Sequence, residues 1–214
     1  MLKKVVSLSH GDSGKGKTYF AGSICKAGGK PFIIDTENGL ATISDIIGQY
    51  DHNTVGDYEE FANACDYYFN NAKEKGYTHL VIDSVTRLQQ LIIDYTLKVP
   101  GFTNFKTMSL DPKQPSMREW GTINTSMRTI IDTICRKCPT SVHMTALSGE
   151  STDAVSGITK VWPLIQGSFR FYLPGYFDIV LYHDSIMKDD QVHYYVQTEG
   201  CNRNIAKNRY SHIK

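Results

Sequence analysis

Apolar positions along this chain follow two rhythms, short continuous runs and longer stretches spaced for one face of a helix. "KKVVSLS" (3–9), "KPFIID" (30–35), "THLVIDSV" (78–85) and "TSVHMTAL" (140–147) have the length and apolar content of buried strands. Between them, "KTYFAGSICKA" (17–27) predicts a helix closed by Gly28 and Gly29. The segment 57–75 predicts a helix with Asp57 at its N-cap, acids in its first turn and Gly76 as its stop. Helical spacing returns at 86–98 and 117–137. "FDIVLYH" (177–183) and "QVHYYVQT" (191–198), joined through "DSIMKDD", predict a C-terminal antiparallel hairpin. The stretches 99–115 and 148–160 show no period and are expected to be irregular connections. Strands alternating with helices predict an α/β fold, a mainly parallel central sheet flanked by helices, in one domain spanning 1–214. In such a sheet the residues just past the strand ends share one edge, however far apart they are in sequence.

Composition narrows the classes. A net charge of +1 gives no general attraction to nucleic acid, so any such binding has to come from a local patch or from several copies side by side. The five cysteines, an odd number scattered along the chain, suit free thiols in a reducing cytosol. No apolar run approaches the ~18 residues of a membrane span, so a cytoplasmic protein with no membrane partner is expected. "CRKC" (135–138) lacks the second ligand pair of a structural zinc site. His10 and His143 fall in or beside strands, where core histidines are the simpler expectation.

The chemistry is concentrated at "GDSGKGKT", residues 11–18, placed after a strand and opening a helix. Gly11, Asp12, Ser13, Gly14, Lys15, Gly16, Lys17 and Thr18 fit the phosphate-binding loop G-x-x-x-x-G-K-[ST]. Glycines let successive N–H groups curl around an anion and the helix start adds partial positive charge. Lys17 reaches outer phosphates, and the Thr18 hydroxyl is a Mg²⁺ ligand. ATP and Mg²⁺ are the implied cofactors. "HLVIDS" (79–84) ends in Asp83, the pattern of a carboxylate that orders the metal; the alternative is that Asp83 only caps the next helix. "FIIDTENGL" (32–40) brings Glu37 to the same edge, where a carboxylate can orient or deprotonate water, unless Asp35 and Glu37 are merely turn residues.

"IDTENGL" resembles the strand end that carries the catalytic glutamate in RecA-like recombinases. Together with "HLVIDSVTRL", "SVHMTAL", "LPGYFDIVLYH" and "NIAKNRY", it makes nearly the whole chain similar to the phage RecA-like ATPases, a family that includes Sak-type single-strand annealing proteins. The resemblance implies a RecA-like P-loop NTPase acting on single-stranded DNA in recombination or annealing. It implies a homo-oligomer with nucleotide at the subunit interface, where Lys207 and Arg209 complete a neighbour's catalytic site. A single-strand-binding protein is the protein partner the family suggests. The chain stops five residues after Arg209 and starts its first strand close to Met1, so a recruiting tail and a filament tether are not expected. Two irregular stretches, 99–118 with Phe102, Phe105, Lys106, Lys113 and Arg118, and 148–168 with Lys160 and Trp162, stand where RecA-like proteins carry DNA-binding loops. Two other readings stay open: a nucleotide or small-molecule kinase, and a non-catalytic ATP-gated interaction module.

Overall fold

A computed structural model describes residues 4–46, 48–97, 114–153 and 156–210. The elements run β1 (Val6–His10), α1 (Lys17–Lys26), β2 (Pro31–Asp35), a 3-10 segment (Leu40–Ile46), β3 (Asp51–Thr54) and α2 (Tyr58–Lys75). They continue with β4 (His79–Asp83), α3 (Val85–Thr96), α4 (Met117–Lys137), β5 (Ser141–Ala146), β6 (Ser148–Thr152) and β7 (Thr159–Pro163). Last come α5 (Phe169–Tyr172), a 3-10 turn (Leu173–Tyr176), β8 (Ile179–Lys188), β9 (Gln191–Gln197) and β10 (Lys207–Asn208).

Among the described residues, eight strands join one sheet. Its parallel part runs β3-β2-β4-β5-β1-β8, and the outer edge of β8 carries β9 and β10, both antiparallel. The central strands β1, β2, β4 and β5 are buried on both faces, as parallel strands covered by crossover helices are. On one face Leu8, Phe32, Ile34, Leu80, Ile82, Val142 and Met144 meet the apolar stripes of α2, α3 and α4, among them Phe61, Tyr68, Leu88, Ile92, Ile123, Met127 and Ile131. On the other, Ile33 and Val81 pack with Ala21 and Cys25 of α1 and with Ile43 and Ile46. Helix boundaries follow the sequence signals. Asp57 accepts a hydrogen bond from Glu60 N and Gly76 closes α2 in the left-handed conformation, while Ser116 and Glu119 form a reciprocal capping box on α4.

Two expectations are corrected, and one strand is added. The connection read at "DSIMKDD" is mostly strand: β8 continues to Lys188, and the turn shrinks to Asp189 and Asp190, with φ of 51° and 58°. A two-residue turn with both φ positive matches the twist of the flanking strands. The stretch 148–160 is not irregular, because β6 and β7 pair through it as a separate two-stranded sheet. β3 was not anticipated at all. Its residues "DHNT" are all exposed, so it has no apolar signal and is held by its parallel backbone pairing to β2.

The middle of the α1 face is polar. Ser7 Oγ and His143 Nδ1 lie 2.8 Å apart, as do Ser9 Oγ and His183 Nε2, and the Phe20 ring sits 5.6 Å and 5.3 Å from the two imidazoles. His10, also buried, bonds the Ile205 carbonyl at 2.6 Å and Ser148 Oγ at 2.9 Å. Burial lowers these histidines from the ordinary 6.5, His10 and His183 to about 4 and His143 to about 3. They are core residues, held neutral, and each takes up a proton near pH 6.5 only when the chain unfolds. Their folded values lie below the unfolded one, so the stability they contribute is complete above pH 6.5 and is lost as pH falls toward 4. Each such group costs about 1.4 kcal/mol per pH unit in that window. Urea denaturation should therefore show the unfolding free energy falling steeply between pH 6.5 and pH 4.5; a flat profile would mean that the imidazoles are protonated in the fold.

Candidate functional site

The segment from Gly11 to Gly16 turns the chain out of β1 and into α1. A side chain at Gly11 would place its Cβ 2.4 Å from the His183 carbonyl oxygen, so only glycine lets the end of β1 pass β8. Gly16 is the N-cap of α1 with φ 80°, a left-handed conformation that glycine adopts without strain. It offers no side chain to cap the helix, and the first turn contains no acid. Helices α2, α3 and α4 instead have Asp57, Ser84 and Ser116 accepting from their first-turn amides. The amides at the start of α1 are thus left to an external acceptor, with the helix dipole favouring an anion.

Lys17 folds back across this loop, donating to the carbonyls of Gly11 and Asp12 at 2.8 Å each. Burial lowers its pKa, and the carboxylates of Asp83, Glu37 and Asp12 oppose the shift. Lys15 enters the loop only through its backbone. Its ammonium is drawn to β8, pairing with Asp184 at 2.9 Å and donating to Ser185 Oγ at 2.8 Å.

Asp83, 3% exposed, ends β4 and meets two hydroxyls. Thr18 Oγ1 donates to its Oδ2 at 2.6 Å, and Thr145 Oγ1 at the end of β5 donates to its Oδ1. Burial raises the Asp83 pKa, the two hydroxyl donors oppose that, and the charges of Glu37 and Asp35 add to the rise. The cap of α3 is Ser84, whose Oγ accepts from Arg87 N at 3.3 Å.

Beyond β2, Asp35 is spent inside the turn, its buried carboxylate accepting from the amides of Glu37 and Gly39 at 3.0 Å and 3.1 Å. Thr36 locks that turn to β4, its hydroxyl reaching the carbonyls of Asp83 and Ser84 at 3.1 Å each and lying 2.8 Å from Ser84 N. Glu37 is exposed at the end of this fixed turn, and Ser84 Oγ donates to its Oε1. It stands between two cavities. One, of about 770 Å³, holds Ser13 to Thr18 and Asp83; the other, of about 750 Å³, holds Asn38, Thr54, Arg87, Gln90 and Gln166.

The family model described as an AAA domain matches residues 3–210. This chain belongs to the AAA domain family. A KaiC-like protein from the hyperthermophilic archaeon Pyrococcus horikoshii OT3 is similar in structure, with a TM-score of 0.53 over 91% of this chain and 78% of that one, at 15% sequence identity. That likeness shows the fold: a mostly parallel central sheet flanked by helices, RecA- and KaiC-like. No curated protein matches the sequence.

The residues of this AAA domain fit magnesium nucleotide. An uncapped, acid-free helix start suits phosphate, and the Thr18 hydroxyl beside the Asp83 carboxylate offers the few oxygen donors that a largely water- and phosphate-coordinated Mg²⁺ takes from protein. Lys207 and Arg209 are not brought to this cradle. They lie beside the N-terminal end of β8, Lys207 donating to the Pro174 carbonyl at 2.8 Å and Arg209 to Asp178 Oδ1 at 3.2 Å. Phe102, Phe105, Lys106 and Lys113 fall outside the described residues. Arg118 is exposed in the first turn of α4. Lys160 and Trp162 are on β7, where Trp162 packs edge-on to Phe171 at 5.2 Å. Cys135 and Cys138 are buried, and among the described residues no group of three or more His, Cys, Asp or Glu could hold a metal ion.

Sequence reasoning missed Thr36, Ser84 and Thr145. Their signal was a hydroxyl at or just past each strand end, visible only once the strands were known to be neighbours. Thr145→Val removes one donor from a buried carboxylate, so urea denaturation should show a loss of about 1–3 kcal/mol. An unchanged midpoint would remove Thr145 from the support of Asp83.

Proposed function

We propose that this AAA domain hydrolyses ATP and uses the cycle to control binding of single-stranded DNA in recombination or annealing, the role that its sequence resemblance to the phage RecA-like ATPases implies. The observation that carries the reading is the single edge on which the uncapped start of α1, Lys17, the Thr18–Asp83 pair and the Ser84-held Glu37 converge. The loop amides and Lys17 would hold the triphosphate, and Thr18 and Asp83 would hold the metal. Bound Mg²⁺ would supply charge neutralisation on the phosphate oxygens. Lys17 exchanges its carbonyl partners for phosphate oxygens, a trade favoured because two carbonyl contacts answer a buried ammonium less fully than an anion does. Glu37 takes the proton of the attacking water, with its carboxylate aimed by Ser84 and its backbone fixed by Asp35 and Thr36. Lys207 and Arg209 are assigned to a neighbouring copy's triphosphate, in a homo-oligomer in which each exchanges its present partner for phosphate.

The DNA contact is assigned to the β6–β7 hairpin, where Lys160 supplies charge and Trp162 with Phe171 supplies ring faces. This hairpin is tied to the catalytic edge. Leu147 N donates to Thr86 Oγ1 and Thr86 Oγ1 to the Leu164 carbonyl, both at 3.0 Å, and Gln89 pairs with the Gln166 backbone at 3.0 Å and 2.7 Å. The cavity beyond Glu37 supports a second reading, transfer of phosphate to an acceptor held there by Gln90, Gln166 and Arg87.

Phosphate release measured with and without an oligonucleotide separates the readings. DNA-stimulated release supports the ATPase, release only with an added acceptor supports transfer, and binding without release supports a gated module. Glu37→Gln should keep MgATP affinity and lose turnover by about a hundredfold or more, and an unchanged rate would remove Glu37 from the chemistry. Trp162→Ala should leave the basal rate intact and abolish the DNA response.

A further inference from the structure

The cavity above the phosphate loop changes character from one end to the other. Asp83 at the end of β4 and Glu37 beyond β2 stand at one side of it, whereas Tyr194, Tyr195 and Val196 of β9 stand at the opposite side. Strand order fixes this direction. β5 separates β1 from β4, and β8 separates β1 from β9, so each end lies about 10 Å from the strand that carries the loop. The carboxylates that act on the outermost phosphate are on the β4 side. A nucleoside triphosphate held by the loop therefore runs the other way, with its innermost phosphate, sugar and base leading toward β9.

What it meets there is aromatic. A Cβ on Gly16 would lie 3.9 Å from Tyr194 Cδ1, so this ring stands beside the N-cap of α1. Yet Tyr194 is 63% exposed, which leaves ring surface open to the cavity. Its position relative to the loop is fixed by polar ties. Asp184, the cross-strand partner of Tyr195, accepts from the Tyr195 hydroxyl at 3.2 Å and pairs with Lys15 of the loop at 2.9 Å, and Lys15 also donates to Ser185 Oγ opposite Tyr194. Lys15 thus serves to hold the β8–β9 hairpin against the phosphate cradle.

We infer that the open ring of Tyr194, set in place by the Lys15–Asp184 tie, is the platform on which the nucleotide base stacks. The site then selects nucleosides over bare polyphosphate, and purines over pyrimidines through their larger ring area. The inference rests on the nucleotide reading above. Stacking on a ring face needs no hydrogen-bond code, so it tolerates adenine and guanine alike.

Calorimetric titration of the full chain with MgATP, MgUTP and magnesium tripolyphosphate tests it. The wild-type chain should bind MgATP more tightly than MgUTP, and both more tightly than tripolyphosphate. Tyr194→Ala should weaken MgATP about tenfold and leave tripolyphosphate unchanged, while Tyr194→Trp should restore the preference and show that the hairpin tolerates substitution. An unchanged MgATP affinity in Tyr194→Ala overturns the platform alone. Equal weakening of MgATP and tripolyphosphate also overturns it, because the ring would then be supporting the loop. If the wild-type chain binds none of the three ligands, the nucleotide reading itself fails.

Discussion

A single buried carboxylate organises this molecule. Asp83 sits at the end of a strand with almost no contact with water, where an ionised group is tolerated only if its oxygens are answered. They are answered by hydroxyls from two other elements, Thr18 on α1 and Thr145 on β5. The arrangement fixes α1, the helix that follows the phosphate loop, against the strand edge that carries the second carboxylate. Lys17 adds a positive charge nearby, and its own burial is eased by the same Asp83. Removing any one of these groups leaves another buried polar group short of a partner, which costs more than the bond itself contributed.

The sequence reveals the parts of this plan that local patterns encode. Four apolar runs became β1, β2, β4 and β5 because strands buried on both faces need continuous apolar residues. α2 and α4 kept their expected bounds because Asp57, Gly76 and Ser116 are local signals that act without tertiary help. The turn from β1 into α1 has the same local character at Gly14 and Gly16, whose positive φ is a backbone need inside the loop, whereas Gly11 answers to the approach of β8. The elements that were missed are those held from outside. β3 is polar and exists only because β2 offers it an edge, and β6 and β7 pair through a stretch with little apolar signal. The hydroxyls around Asp83 belong to the same class: Thr18 and Thr145 are 127 residues apart in sequence and meet only through the order of the strands.

The same order gives the site its reach. Leu147, at the root of the β6–β7 hairpin, follows Thr145 by two residues, and Thr86, which bonds both Leu147 and Leu164, follows Ser84 by two. Ser84 in turn holds Glu37. Both roots of the hairpin are therefore gripped by residues next to those that hold the two carboxylates. A displacement of Asp83 or Glu37 would reach the hairpin through β5 directly and through the first turn of α3. Contact of this kind becomes coupling only if the hairpin has two positions of nearly equal energy. The hairpin is built for that more than the main sheet is. It forms its own two-stranded sheet, continuous with the large one at its base through Ala146, bridged at Val161 to Asn204 in the segment between β9 and β10, and held by side-chain hydrogen bonds rather than a full strand ladder. A two-stranded unit of this size has little stability of its own, so the free energy that sets its position is supplied at its anchors. Those anchors lie beside the edge that carries Asp83 and Glu37.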